Sequence, residues 1–167
     1  MEPLLKVENL SQHFKINKHY TVKAVNGLNF EIYPGETFGL VGESGSGKST
    51  TGRSIIRLYE PTSGKIVFDG VDISGKLSKA DEKHLRTNMQ MIFQDPMTAL
   101  NPVYTVGFQI MENILAHEKI SKKEARERTL QLLKKMGIPF PEKRIDEYPH
   151  QFSGGMKQRV VIAMALC

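Results

Sequence analysis

Cysteine occurs once in the 167 residues, as Cys167. A single thiol closes no internal disulfide and builds no zinc site, so a reducing compartment is expected. Long apolar runs are also missing. The longest, residues 160–167, falls far short of the roughly 20 residues a membrane-spanning helix needs. The opening Met1-Glu2-Pro3-Leu4-Leu5-Lys6 lacks the basic stretch and apolar run of a secretory leader. No stripe of alternating aromatic and basic side chains is present for stacking bases, so no nucleic-acid partner is expected. The sequence has no internal repeat and no low-complexity tract. These absences point to a cytosolic protein, or to one held at a membrane only through a partner.

What is present is ordinary globular material. Apolar residues make up 40% and charged residues 25%, which excludes disorder as the main state. The length suffices to bury a core without staples. Lysine and arginine number 23 against 18 acids, a net charge of +5 that weakly favours an anionic partner. Most of that charge is interleaved, as in Lys122-Lys123-Glu124-Ala125-Arg126-Glu127-Arg128, the pattern of a solvated helix face.

Residues 4–30 alternate as β structure, with the polar residues 15–19 as a hairpin loop. Tyr33-Pro34-Gly35-Glu36 reads as a turn. Residues 37–41 read as a short buried strand of the parallel type, followed by a Gly-rich loop and a helix over about 48–58. Residues 65–69 and 89–93 are further strand candidates, and the polar stretch 72–88 reads as loop with some helix. Beyond residue 96 the pattern turns helical. Residues 106–117 form one helix, and a capping box at Ser121 and Glu124 opens another. Ala125, Thr129, Leu132, Leu133 and Met136 share one face of that second helix, which Gly137 and Pro139 end. A last helix from about Gly155 is apolar all round over residues 160–166, which belongs in an interior.

Two stretches carry chemistry. Gly42-Glu43-Ser44-Gly45-Ser46-Gly47-Lys48-Ser49 matches G-x-x-x-x-G-K-[ST]. Its glycines let backbone N–H groups converge on phosphate oxygens, and the following helix adds the positive end of its dipole. Lys48 supplies a point charge for the β- and γ-phosphates, and the Ser49 hydroxyl a ligand for Mg²⁺. The second stretch is Phe152-Ser153-Gly154-Gly155-Met156-Lys157-Gln158-Arg159. There Ser153 can cap a helix whose first turn exposes further N–H groups.

Together the two stretches resemble the Walker A loop and the signature motif of ABC transporter ATP-binding subunits. Within that family the chain is most similar to the oligopeptide and dipeptide importers, through Phe93-Gln94-Asp95-Pro96-Met97-Thr98-Ala99-Leu100-Asn101-Pro102 and the signature run. The resemblance implies an α/β fold with a P-loop NTPase-type parallel sheet core. An N-terminal antiparallel β subdomain and an inserted α-helical subdomain complete it. The implied division is 1–95 for the β subdomain and P-loop core, 96–155 for the helical subdomain with its signature, and 156–167 for the start of a return helix.

The resemblance also implies roles. Gly42, Glu43, Ser44, Gly45, Ser46, Gly47, Lys48, Ser49 and Thr50 would hold ATP, and Phe14 would stack on its adenine. Ser49 and Gln94 would serve Mg²⁺, with Gln94 also reaching the attacking water as the catalytic residue. Ser153, Gly154 and Gly155 would contact the ATP of a second ATP-binding subunit in a head-to-tail dimer. The helical region would meet transmembrane permease subunits, placing the protein peripherally on the cytoplasmic face of the membrane.

The family pattern continues past the signature helix with a Walker B strand ending in Asp-Glu, a D-loop and a switch histidine, and none of these is among the 167 residues. Asp146-Glu147 is no substitute, since Arg144-Ile145 before it is not a buried strand. The expectation is a core lacking its C-terminal part and a chain that binds nucleotide but hydrolyses it poorly alone. Residues 23–66 resemble one importer subunit type (F) and residues 97–167 the other (D), as a recombined gene would. A DNA-repair ATPase would place long coiled-coil heptads between the two motifs, and a simple P-loop kinase would lack Ser153-Gly154-Gly155.

Overall fold

Alternating apolar residues build a long antiparallel pair, β1 (Leu5–Lys15) and β2 (Thr21–Ile32). The polar link between them closes where Ile16 and Asn17 donate to the Tyr20 carbonyl, as the hairpin reading expected. In this computed structural model residues 2–93 and 99–167 are described. They form two units, Met1–Met91 and Ile92–Cys167.

In the first unit β3 (Ser63–Phe68) pairs with the other edge of β1, and the two-residue β4 (Val71–Asp72) completes the order β2-β1-β3-β4. Asn9 interrupts β1 with φ +50 and shifts the register. Its N–H is satisfied by the Asn29 Oδ1 at 2.7 Å. Val7, Leu10, Ile66, Ile73 and Leu85 are buried on one face of the sheet. Each such side chain contributes on the order of 1.5–3 kcal/mol. Two helices accompany the sheet, α1 (Lys48–Ile55) and α2 (Lys79–Asn88). The buried Ser54 hydroxyl donates to the Gln12 side chain at 3.4 Å and ties α1 to β1. Helix α1 stops earlier than the expected residue 58. Arg57 turns to φ +62 and its guanidinium donates to the Ser74 and Gly75 carbonyls at 2.8 and 2.9 Å. Helix α2 is fuller than the loop expected there, because Ser78 caps it and Asp81 and Glu82 favour its first turn.

The expected parallel strand over residues 37–41 is not formed, and residues 89–93 join no ladder. Every pairing among the described residues is antiparallel. A parallel strand is stable when neighbours cover both of its faces, and among the described residues this one is covered only in part, with the Phe30 ring stacked on Phe38. Val41 is 93% exposed and Leu40 41%.

The second unit is helical: α3 (Val106–His117), α4 (Lys122–Lys135), the short α5 (Pro141–Arg144), a 3₁₀ turn at Pro149–Gln151, and α6 (Gly154–Ala165). The capping box at α4 is complete. Ser121 Oγ accepts from the Glu124 N–H at 3.2 Å, and the Glu124 carboxylate accepts from the Ser121 N–H at 2.8 Å. The Ser121 hydroxyl and N–H together hold the Glu124 carboxyl below the usual range. Ala125, Thr129 and Leu133 are buried against Ile110, Ile114, Ile145 and Val160. A Cβ on Gly107 would stand 2.3 Å from the Ile145 side chain, so α3 and the chain after α5 meet at backbone distance. Helix α6 buries Val160, Val161 and Ala163. Its opposite side is not covered among the described residues, and Leu166 is 56% exposed.

Candidate functional site

The loop before α1 is shaped by its glycines. Gly45 and Gly47 sit at φ +82 and +91, in the left-handed region that favours glycine. A Cβ on Gly47 would lie 2.2 Å from the Ala24 carbonyl oxygen, and one on Gly42 would lie 2.6 Å from Ser46 Oγ. The Ser46 N–H donates to the Glu43 carbonyl at 3.2 Å, closing the turn that contains Ser44. Helix α1 then opens with no side-chain cap and no acid in its first turn, so the positive field of its N-terminus is uncompensated. The Thr51 hydroxyl and N–H both donate to the Gly47 carbonyl, at 3.0 and 2.8 Å, anchoring the helix start.

Lys48 curls back over this loop. Its ammonium donates to the Gly42 carbonyl at 2.7 Å, the Glu43 carbonyl at 2.5 Å and the Ser46 hydroxyl at 3.3 Å. An ammonium has three donors, and all three are satisfied by the loop. The arrangement stores a cation against a ring of backbone, where an incoming phosphate can replace neutral carbonyls as acceptor. Charged acceptors make the stronger bond. Ser49 is exposed and Thr50 half-buried in the first turn of α1. A cleft of 320 Å³ opens here, lined by residues 24–26, Leu28, residues 40–42, Ser46, Lys48 and Thr51. Its lining adds Asn26 and Thr51, which local motif reading passed over. Thr51 was legible only as the next helix residue, and Asn26 comes from β2, far away in sequence.

Phe14 is half-buried and is not among the residues lining that cleft. Its ring packs edge-on against Tyr59, with centroids 5.3 Å apart and planes at 83°. Gln94 lies outside the described residues.

In the second unit Ser153 caps α6, accepting the Met156 N–H at 3.4 Å. Gly154 and Gly155 are exposed, and a Cβ on either would meet open space. The first turn of α6 carries no acid, so this too is an anion-ready helix start. Asp146 and Glu147 are occupied by arginines. Arg126 donates to both Asp146 oxygens, at 2.9 and 2.7 Å, and holds that carboxyl below the usual range. Glu147 pairs with Arg144 at 2.6 Å. Gln109, 5% exposed, is a buried polar residue that the helical pattern hid. Its amide nitrogen donates to the Asn101 and Tyr104 carbonyls at 3.0 and 3.1 Å, and its oxygen accepts the Asn101 N–H at 2.8 Å. A polar residue on the buried side of α3 was the available signal.

Residues 25–167 match the family model described as ABC transporter. The chain is 51% identical over 172 residues to the dipeptide transport ATP-binding protein DppD of Bacillus subtilis, covering 99% of this chain and 51% of that protein. It is 49% identical to the oligopeptide transport ATP-binding protein OppF of the same organism, covering 99% and 53%. The chain therefore spans about half the length of the curated relatives it matches. Among solved structures, the dimeric ATP-binding cassette MJ0796 in a post-hydrolysis state with ADP and phosphate superposes with a TM-score of 0.83. It shares 31% identity, over 97% of this chain and 68% of that one. The cassette cbiO1 from Clostridium perfringens gives 0.78 at 32% identity, over 99% and 62%. These likenesses set the α/β cassette as the fold class.

Proposed function

The chain belongs to the ABC transporter family of ATP-binding proteins, and from that premise we propose that it is the nucleotide-binding subunit, or a part of one, of a peptide importer. The observation that carries this reading is the Lys48 ammonium held by Gly42, Glu43 and Ser46 in a glycine loop at an uncompensated helix start. That cradle fits a triphosphate: Gly42 and Gly47 leave no room for side chains, Gly45 turns with a positive φ, and the charge is of the right sign.

Residues 42–50 hold the phosphates, with Lys48 as the charged donor. Ser49 and Gln94 serve Mg²⁺, which when bound neutralises phosphate charge. Phe14 takes the adenine once its ring leaves Tyr59 or stacks beside it. Ser153, Gly154 and Gly155 offer their helix start to the nucleotide of a second ATP-binding subunit, a reading supported by the dimeric arrangement of the MJ0796 structure. The peptide substrate is supported by the relatives' names, and a permease partner by the transporter family to which the chain belongs. No described helix is long and apolar enough to cross a membrane, and attachment to the cytoplasmic face would run through that permease.

Calorimetry with Mg-ATP on these 167 residues tests the reading. Binding is expected, with Lys48→Ala weakening it about 10- to 100-fold, the worth of a charged hydrogen-bond set. Turnover by the same material is expected to be negligible, because among the described residues no carboxylate on a buried strand is available to order metal and water. Equal binding by wild type and Lys48→Ala would sink the proposal.

A further inference from the structure

Resting on that reading, we propose that Arg144 is the positioning residue of the signature loop, setting the place of Ser153 without touching nucleotide itself. Arg144 ends α5, and its side chain is 27% exposed. One guanidinium nitrogen donates to the Glu147 carboxylate at 2.6 Å and to the Gln151 carbonyl at 3.3 Å. The guanidinium carbon stands 5.6 Å from the centroid of the Phe152 ring, and Phe152 is 5% exposed. Both residues directly before Ser153 are thus held by one side chain.

The grip has a fixed base. The Glu147 side chain is 14% exposed, and its backbone carbonyl accepts the Val106 N–H at 2.9 Å. Ile145 does the same for the Gly107 N–H at 2.8 Å. A continuous path therefore runs from the first turn of α3 through Glu147 and Arg144 to Gln151 and Phe152, and ends at the Ser153 cap. On the other side of α6, Arg159 donates to the Gly137 carbonyl at 3.0 Å and holds the helix against the end of α4. With α6 fixed by Arg159, Arg144 decides how the chain enters it. A planar guanidinium can serve a carboxylate, a carbonyl and a ring face at once, whereas a lysine ammonium can serve only the first well.

Hydrogen exchange on the full chain, resolved at residues 152–157, tests this in Arg144→Met and Arg144→Lys. The lysine variant keeps the charge pair with Glu147 and covers the case in which the methionine variant fails to fold. In both, exchange at the hydrogen-bonded amides of Phe152, Met156 and Lys157 is expected to rise about tenfold, while α3 and α4 amides stay within a factor of two. Mg-ATP affinity at Lys48 is expected to be unchanged. Exchange at 152–157 like wild type in either folded variant overturns the proposal. So does a uniform rise across residues 92–167, which marks a general prop, and so does full recovery by lysine. Failure of wild type to bind Mg-ATP would instead count against the proposed function, and leaves the exchange result to decide this one.

Discussion

At Gly47 a left-handed φ of +91 coincides with a carbonyl oxygen, that of Ala24, 2.2 Å from where a Cβ would stand. Conformation and space both demand glycine there. Gly47→Ala is expected to lower stability by more than about 1 kcal/mol. It should also loosen Mg-ATP, because the N–H groups of the loop lose their convergence. A urea midpoint and a titration on the same sample check both, and an unshifted midpoint would mean that β2 and the loop separate freely. Lys48 needs no such enforcement. Its three acceptors are two carbonyls and a hydroxyl within six residues, so its placement is a local matter. Phe14 differs again: its neighbour Tyr59 lies 45 positions later in the sequence, and only the fold brings the two rings together.

Several helices in this protein begin where their sequences say, and the end of α1 is decided by tertiary contacts. Thr105, Ser121 and Ser153 each cap the helix that follows them through a hydroxyl accepting an N–H three residues on. The end of α1 at Ile55 depends on Arg57 finding the carbonyls of Ser74 and Gly75. Helix α3 shows the same division. Its start is a threonine cap, yet its buried Gln109 serves the loop before it by bonding Asn101 and Tyr104. Gln109→Met keeps the volume and removes those bonds. It is expected to cost about 1–3 kcal/mol and to speed exchange at residues 101–105. Chemical denaturation with hydrogen exchange measures both, and a neutral result would show that water replaces the amide without loss.

Across the whole molecule, ligand binding and stability are linked by mass action. If Mg-ATP binds the folded chain, a hundredfold excess over Kd adds about 2.7 kcal/mol. The thermal midpoint should rise by several degrees in wild type and by about half of that or less in Lys48→Ala at the same concentration. A rise of equal size in both would place the nucleotide elsewhere. The apolar segment over residues 37–41 also belongs to this scale. Phe38 stacks on Phe30 at 4.9 Å, while Leu40 and Val41 face outward. The superposed cassettes are longer than this chain by about a third of their own length, and a parallel layer requires strands from far apart in sequence.

From residue order alone came the glycine loop, the caps of α4 and α6, the amphipathic face of α4 and the family itself, because each rests on spacing over about a dozen residues or fewer and on backbone geometry that such spacing dictates. The tertiary structure alone decided that residues 37–41 lie outside any ladder, that Asn26 shares a cleft with Lys48, that Gln109 clasps its own loop, and that Arg144 holds the approach to Ser153. Those outcomes depend on which groups meet after the chain has folded back on itself, and a desolvated donor or an uncovered strand is satisfied only by the partner that folding delivers.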